Sequence, residues 1–102
     1  MSEMPIVCAL PPRELAARAA ELLPGVARLA SSRVEIEGGY RFEFVPSPES
    51  FGAIVAMIEA EHRCCRFLRF QLTVEPGEGS MWLDVTGPAG TREFLLALAA
   101  SF

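Results

Sequence analysis

This sequence has no apolar stretch approaching the roughly 18 to 20 residues that a membrane-spanning helix needs, so we expect no membrane association. Basic residues are also few: 9 arginines and lysines stand against 13 acidic residues, and the formal net charge is −4. Nucleic-acid binding needs a basic surface, so we expect no nucleic-acid partner. Residues 1–5 carry neither the basic nor the apolar segment of a signal peptide, which predicts a cytoplasmic protein.

Cysteine is scarce as well. Three cysteines are an odd number that gives no disulfide framework, and the cytoplasm keeps thiols reduced, so we expect free thiols. The length of 102 residues is that of one domain over residues 1–102, large enough to bury a core without disulfides. A hydrophobic content of 51% is high for so small a chain. We therefore expect a homodimer that hides part of this surface.

The first half of the chain predicts a strand, a helix and a hairpin. Residues 6–10 form a short β-rich apolar run, and residues 13–23 repeat apolar side chains at helical spacing. Two alternating segments, 33–37 and 40–45, flank a pair of glycines, which is typical of a hairpin turn. We expect the apolar residues of this hairpin to share one inward face: Val34, Ile36, Tyr40, Phe42 and Phe44.

The second half repeats the helix–hairpin pattern and adds a final helix. A helix capped by Ser47 or Ser50 is predicted to run to about Cys65, followed by strands at 67–75 and 80–86 and a helix at 92–102. The order β-α-β-β-α-β-β-α predicts an α+β protein, a two-layer sandwich with helices on an antiparallel sheet. One face of the middle helix is expected to be buried: Phe51, Ile54, Val55, Ile58, His62 and Cys65.

The residues able to do chemistry concentrate at 61–65, Glu-His-Arg-Cys-Cys, which holds the only histidine and two of the three cysteines. Such side chains bind soft metals or act as nucleophiles near neutral pH. Residues three apart share a helix face, whereas neighbours are rotated by about 100°. We therefore expect His62 and Cys65 to point together toward the sheet and Cys64 to point away. A joint site of Cys64 and Cys65 is expected only if the helix ends between them.

A metal site is one interpretation of this segment. His62 and Cys65, with Cys8 if the first strand lies beneath the helix, suit Zn²⁺ or a softer thiophilic metal. A buried core is the interpretation that we favour for Cys8 and Cys65, and His62 suits a satisfied buried histidine or a half-exposed helix cap. Cys64 is the cysteine that packing explains least. The negative end of the helix dipole opposes a reactive thiolate, so we expect binding and lean against an enzyme.

Two neighbouring features have plainer interpretations. Arg63, Arg66 and Arg69 surround the cysteines, and they either hold one anion or are simply solvated, which we favour. Glu61 is expected to be a solvated acid or an ion-pair partner of these arginines more often than a ligand. The segment 87–91, Gly-Pro-Ala-Gly-Thr, opens a helix but lacks a phosphate-binding fingerprint, so we interpret it as a turn and cap.

Two motifs carry a resemblance: E-x-x-C-C-x-F at residues 61–67 and G-P-x-G at residues 87–90. With the cysteine-containing run at 6–10, the chain resembles a family of small bacterial proteins of about 100 residues, mostly uncharacterised, that carry E-x-x-C-C-P-F and G-P-x-G. Arg66 stands where that family usually has a proline, which would stop the helix at the cysteines. The resemblance implies a connection with heavy-metal resistance and a candidate site: Cys8, Glu61, Cys64 and Cys65.

The sequence therefore leads to two hypotheses. In the first, the protein is a small cytoplasmic module that binds a thiophilic metal or a thiol-reactive ligand through the cluster Cys8, Glu61, His62, Cys64 and Cys65. In the second, it is a non-catalytic, dimeric interaction domain whose cysteines are structural. A cysteine enzyme with His62 as the base is the least supported alternative.

Overall fold

The computed structural model of the protein describes residues 25–77 and 79–99. The strand predicted at 6–10 and the helix predicted at 13–23 lie outside these ranges. Residues 25–29 are helical. The longer elements are four strands and two helices: β1 (Ser32–Ile36), β2 (Gly39–Phe44), the central helix (Pro48–Cys64), β3 (Arg69–Val74), β4 (Met81–Thr86) and the last helix (Thr91–Ala99).

The four strands form one antiparallel sheet in the order β1-β2-β4-β3. Each half of the sheet is a hairpin, and β2 pairs with β4 because the central helix carries the chain over the sheet to its far edge. Hairpin strands of this kind pair antiparallel, and the amphipathic helices must bury their apolar sides against one face. The predicted α+β class and antiparallel sheet are confirmed.

The central helix begins where the sequence predicts it. Ser47 is the N-cap, in an extended conformation, and its hydroxyl accepts a hydrogen bond from the backbone N–H of Ser50 at 3.0 Å. Pro48 occupies the first helical position, where its missing N–H does no harm, and Glu49 adds a negative charge near the positive end of the dipole. Within the described ranges, no helix is both long enough and apolar enough to cross a membrane.

The core lies between the helices and one face of the sheet. Ile54 and Met57 of the central helix are fully buried, and Leu95 of the last helix is 4% exposed. Phe94 packs edge-on against Phe67, with 5.1 Å between ring centroids. The inner face of the sheet supplies the remaining large side chains, contributed by alternate residues of β2 and β4: Tyr40, Phe42, Phe44, Met81, Leu83 and Val85.

The first hairpin lies where the sequence predicts it, but its loop is residues 37–38 instead of the glycine pair 38–39, and β1 faces the other way. Val34 pairs with Arg41 and Ile36 with Gly39 across a two-residue loop. Directly paired residues point to the same face of a sheet, so Val34 lies with Arg41 on the outer face, where Val34 is 47% exposed. The expectation that Val34 and Ile36 face inward with Phe42 is wrong. A two-residue loop pairs even-numbered residues of one strand with odd-numbered residues of the other.

The outer face of the sheet is polar where the inner face is apolar. The Arg41 guanidinium donates to both carboxylate oxygens of Asp84, at 2.8 and 3.0 Å, and lies 5.0 Å from the centroid of the Trp82 ring. These residues alternate with core residues along β2 and β4. Asp84 raises the pKa of the Arg41 guanidinium by accepting its hydrogen bonds. The cluster fixes the two central strands together on their solvent side.

Candidate functional site

The central helix ends between the two adjacent cysteines. Cys64 is its last helical residue, and Cys65 is the C-cap, with φ −115° and ψ 78°. The backbone N–H of Cys65 still donates to the carbonyl oxygen of Glu61, at 2.6 Å, and the carbonyl of Cys65 accepts from the N–H of Leu68, at 3.1 Å. The backbone thus leaves helical geometry at Cys65. This is the condition under which the sequence allows both sulfurs to serve one site.

Glu61 and Cys65 are buried together at this helix end. Their exposed fractions are 2% and 1%, and they lie one turn apart, four residues along the chain, on the face that also carries Met57 and Ile54. The expectation of a solvated Glu61 is wrong. Its position follows the buried residues at regular helical steps, seven residues after Ile54 and four after Met57. That spacing is the sequence signal that marks Glu61 as part of the buried face.

His62 is exposed, not buried beside Cys65. The expected pairing of His62 with Cys65 toward the sheet is therefore wrong. The helix carries two adjacent apolar stripes, and it buries the one containing Ile54; Val55 on the other is 61% exposed and Phe51 is 36% exposed. Neighbouring residues are rotated by about 100°, so a helix that buries Glu61 turns His62 outward.

The Glu61 carboxyl is a buried acid without compensation from the described part of the chain. No hydrogen bond or ion pair joins it to a side chain in residues 25–77 and 79–99. Burial alone raises its pKa from 4.5 to about 7, because desolvation penalises the charged form. The nearby arginines are exposed, and Arg63 lies 3.9 Å from Glu59 in a surface pair. This agrees with the interpretation of the arginines as solvated.

Cys65 is disulfide-bonded, so the expectation of free thiols is wrong for this residue. The chain contains two other cysteines, Cys8 and Cys64. Cys8 lies outside the described residues, and for Cys64 the described part is the helical backbone. Burial of Cys65 agrees with its interpretation as a core residue, and its oxidation adds a second sulfur atom at the same place.

The predicted ligands thus separate into three groups. Glu61 and Cys65 come together, His62 points to solvent, and the side chains of Cys8 and Cys64 are not described. In the part of the chain that the structure describes, no cluster of three or more His, Cys, Asp or Glu side chains is arranged to hold a metal ion.

The segment before the last helix is a structural turn, as the sequence indicates. Thr91 is 1% exposed, and its hydroxyl donates to the carbonyl oxygen of Pro88 at 2.7 Å. A Cβ on Gly87 would collide with the Thr91 hydroxyl. Arg92 reaches back to β1, donating to the carbonyl oxygen of Ile36 at 3.2 Å. The segment therefore joins the last helix to the first hairpin.

Comparison with known proteins gives no relative: neither a protein-family model, nor a curated protein, nor a solved structure matches this chain.

Proposed function

We propose that this protein is a small binding module for a thiophilic metal ion or a thiol-reactive ligand. Its binding centre comprises Cys65, the cysteine that forms a disulfide with it, and Glu61. One observation carries the proposal: a disulfide sulfur and a carboxyl group with no ion-pair partner among the described residues are buried one turn apart at the end of the central helix. Sulfur and oxygen ligands together suit Zn²⁺, and the sulfur pair alone suits softer ions.

The disulfide supports the proposal because it brings two sulfur atoms to one place. Disulfide sulfurs are about 2.05 Å apart. Two thiolates that bind one Zn²⁺ at about 2.3 Å each in tetrahedral geometry lie about 3.8 Å apart. After reduction, the distance between the two sulfurs therefore needs to increase by less than about 2 Å to place both around an ion. The helix end at Cys65 favours Cys64 as the second sulfur, and Cys8 is the alternative.

Glu61 supports the proposal through the cost of its burial. A buried carboxylate is unfavourable unless a positive charge or hydrogen bonds compensate it. A divalent cation beside Glu61 supplies that charge and favours the ionised carboxyl group. The cost of burying a negative charge therefore explains both why the free carboxyl group keeps its proton and why the site would attract a cation.

We further propose that the protein works in the cytoplasm. Disulfides in that compartment are usually transient and functional, because cellular thiols keep most cysteines reduced. The reduced, binding-competent form would then predominate there, and the disulfide at Cys65 would form only when the protein is oxidised.

Metal titration of the reduced protein tests this function. Calorimetry with Zn²⁺ and with Cd²⁺ under anaerobic conditions should give saturable binding of one ion per chain. Cys65→Ser should reduce affinity by at least about a hundredfold, and Glu61→Gln by about tenfold or more, as expected for loss of a ligand. Glu59→Gln is the matched control, since Glu59 is an exposed acid on the same helix. Equal affinity in all four proteins, or absence of binding in the wild type, would overturn the proposal.

One observation favours a second role, as a dimeric interaction domain. The central helix leaves Phe51 and Val55 exposed on one stripe, and Val45 nearby in sequence is 71% exposed. A second copy of this chain is the occupant that we propose, because a two-fold axis through the stripe buries the same residues on both subunits. The two roles are compatible, since the stripe and the Glu61 face lie on different sides of the helix.

A further inference from the structure

We infer that β1 forms an edge-to-edge contact between two copies of this chain, in which the two β1 strands pair antiparallel about Val34 and join their sheets into one. The strand offers an edge for this contact. It pairs with β2 on one side and, among the described residues, with no strand on the other. Residues 32–35 are exposed. Backbone N–H and C=O groups along such an edge are a template for another strand.

The charges of β1 identify a second copy as the partner. The strand reads Ser-Arg-Val-Glu-Ile. When two such strands run antiparallel with Val34 opposite Val34, Arg33 of each copy stands opposite Glu35 of the other. Directly opposed residues point to the same face of a sheet, so each arginine meets a glutamate and the pairing is attractive at both positions. An edge strand with charges of one sign would repel its own copy.

Contacts within the subunit leave these side chains available. The Arg33 guanidinium lies 5.4 Å from the centroid of the Tyr40 ring, beside the edge of the sheet. Arg92 contacts Oε1 of Glu35 at 3.3 Å, but the Glu35 side chain is still 62% exposed. A carboxylate accepts hydrogen bonds at both oxygens, so Glu35 can also accept from the partner's Arg33. The pairing covers Val34, which is 47% exposed on the outer face.

The other edge of the sheet provides the contrast. β3 is also an edge strand in the described part of the chain, and Arg69 is the one charged residue in its sequence, Arg-Phe-Gln-Leu-Thr-Val. No antiparallel pairing of two copies of β3 brings opposite charges together. Self-pairing is therefore assigned to the β1 edge.

The size of the contact determines its strength. Five residues from each copy take part, whereas a stable interface uses about 20 to 30 a side, so we expect a dissociation constant of hundreds of micromolar. The contact lies apart from the exposed stripe of the central helix. It therefore leaves the dimer expected at tens of micromolar unchanged and links one dimer to the next at higher concentration.

The test is an NMR titration of isotope-labelled wild-type protein, at about 50 μM, with unlabelled protein to about 1 mM, a range that spans the expected dissociation constant. Unlabelled wild type should shift the amide signals of residues 32–36 saturably. The charge-swapped variant Arg33→Glu/Glu35→Arg places like charges opposite each other at both positions of a mixed pair. It should bind the wild type at least about tenfold more weakly than it binds its own copy.

Two further variants complete the test. Arg33→Glu keeps the contact of Glu35 with Arg92 and should weaken self-pairing about tenfold, because two attractions become repulsions. Arg69→Glu is the matched control, an exposed arginine on the other edge strand, and should pair as the wild type does. Absence of shifts at residues 32–36 in wild type at 1 mM would overturn the contact. Equal binding of the charge-swapped variant to wild type and to itself would also overturn it.

Discussion

The backbone N–H of Cys65 donates to the carbonyl oxygen of Glu61 at 2.6 Å, and this hydrogen bond closes the central helix between two buried side chains. One side chain is a disulfide-bonded cysteine and the other is a carboxyl group with a raised pKa. The same bond fixes where the helix stops, so the backbone leaves helical geometry directly after Cys64. The end of the helix, a buried carboxyl group and a buried disulfide-bonded cysteine therefore all lie within residues 61–65.

Glu61 should make the stability of the metal-free, oxidised protein depend on pH. Its pKa is about 7 in the folded state and 4.5 ordinarily. Between these values the folded protein holds a proton that the unfolded chain has released, so stability falls as pH rises through this window and levels off above it. The expected fall is about 3 kcal/mol. Urea unfolding in the presence of a chelator, at intervals from pH 4 to pH 8, measures it.

The matched pair for this experiment is Glu61→Gln and Glu59→Gln. Glutamine cannot ionise, so Glu61→Gln should flatten the profile between pH 4.5 and 7, while replacement of the exposed Glu59 should leave it as in the wild type. A profile of unchanged slope in Glu61→Gln would show that another group is responsible.

Two glycines should respond oppositely to alanine. A Cβ on Gly39 would collide with the backbone carbonyl of Val85 in the adjacent strand, whereas a Cβ on Gly52 would meet nothing within 4 Å. We expect Gly39→Ala to lower the free energy of unfolding by about 2 kcal/mol or more, since the strands must separate locally. Gly52→Ala should raise it by about 1 kcal/mol, because alanine favours a helix. Chemical unfolding of both variants measures these effects, and a neutral Gly39→Ala would argue against the observed pairing of β2 with β4.

Burial should protect Cys65 even after reduction. In the reduced, folded protein we expect its thiol to react with a maleimide more than about tenfold slower than in denaturant, because local opening must precede reaction. The sequence predicts that Cys64 reacts faster than Cys65 and Cys8. Peptide mapping after short labelling times gives all three rates. A rate for Cys65 equal to that in denaturant would place it at the surface.

The exposed stripe on the central helix should control assembly. We expect a dimer by light scattering at tens of micromolar, and Val55→Glu should shift it toward the monomer because it places a charge within the interface. Val34→Glu is the control, since Val34 is also an exposed valine but lies on the outer face of the sheet. A monomeric wild type, or equal effects of both substitutions, would remove the dimer interface from this stripe.

Local rules of sequence predict much of this fold. The glycine pair locates the first hairpin, and Ser47 with Pro48 locates the start of the central helix, because caps and turns depend on nearby residues alone. The face of β1 is mispredicted, since apolarity suggests that Val34 points inward whereas strand register sets the actual face. The two-residue loop pairs Val34 with Arg41, so Val34 shares the outer face with Arg41 although both apolar patterns taken separately suggest a common inner face.

The candidate site is likewise predicted in part by local sequence and in part only by tertiary packing. The sequence identifies Cys65 and the region around it from residue type alone. It fails for Glu61 and His62 because the helix has two apolar stripes, and tertiary packing decides which of them meets the sheet. The sequence predicts a solvated Glu61 and a His62 that faces the sheet, whereas Glu61 is buried and His62 is exposed. Three cysteines form no recognisable framework, so the sequence does not predict the disulfide of Cys65.

The most direct test of the binding centre is the X-ray absorption spectrum of the reduced protein loaded with one equivalent of Zn²⁺. Two sulfur ligands at about 2.3 Å and at least one oxygen ligand at about 2.0 to 2.2 Å are expected in the wild type, and one oxygen ligand from the protein should be lost in Glu61→Gln. A first shell made only of oxygen and nitrogen would contradict the proposal that the reduced disulfide of Cys65 binds the ion.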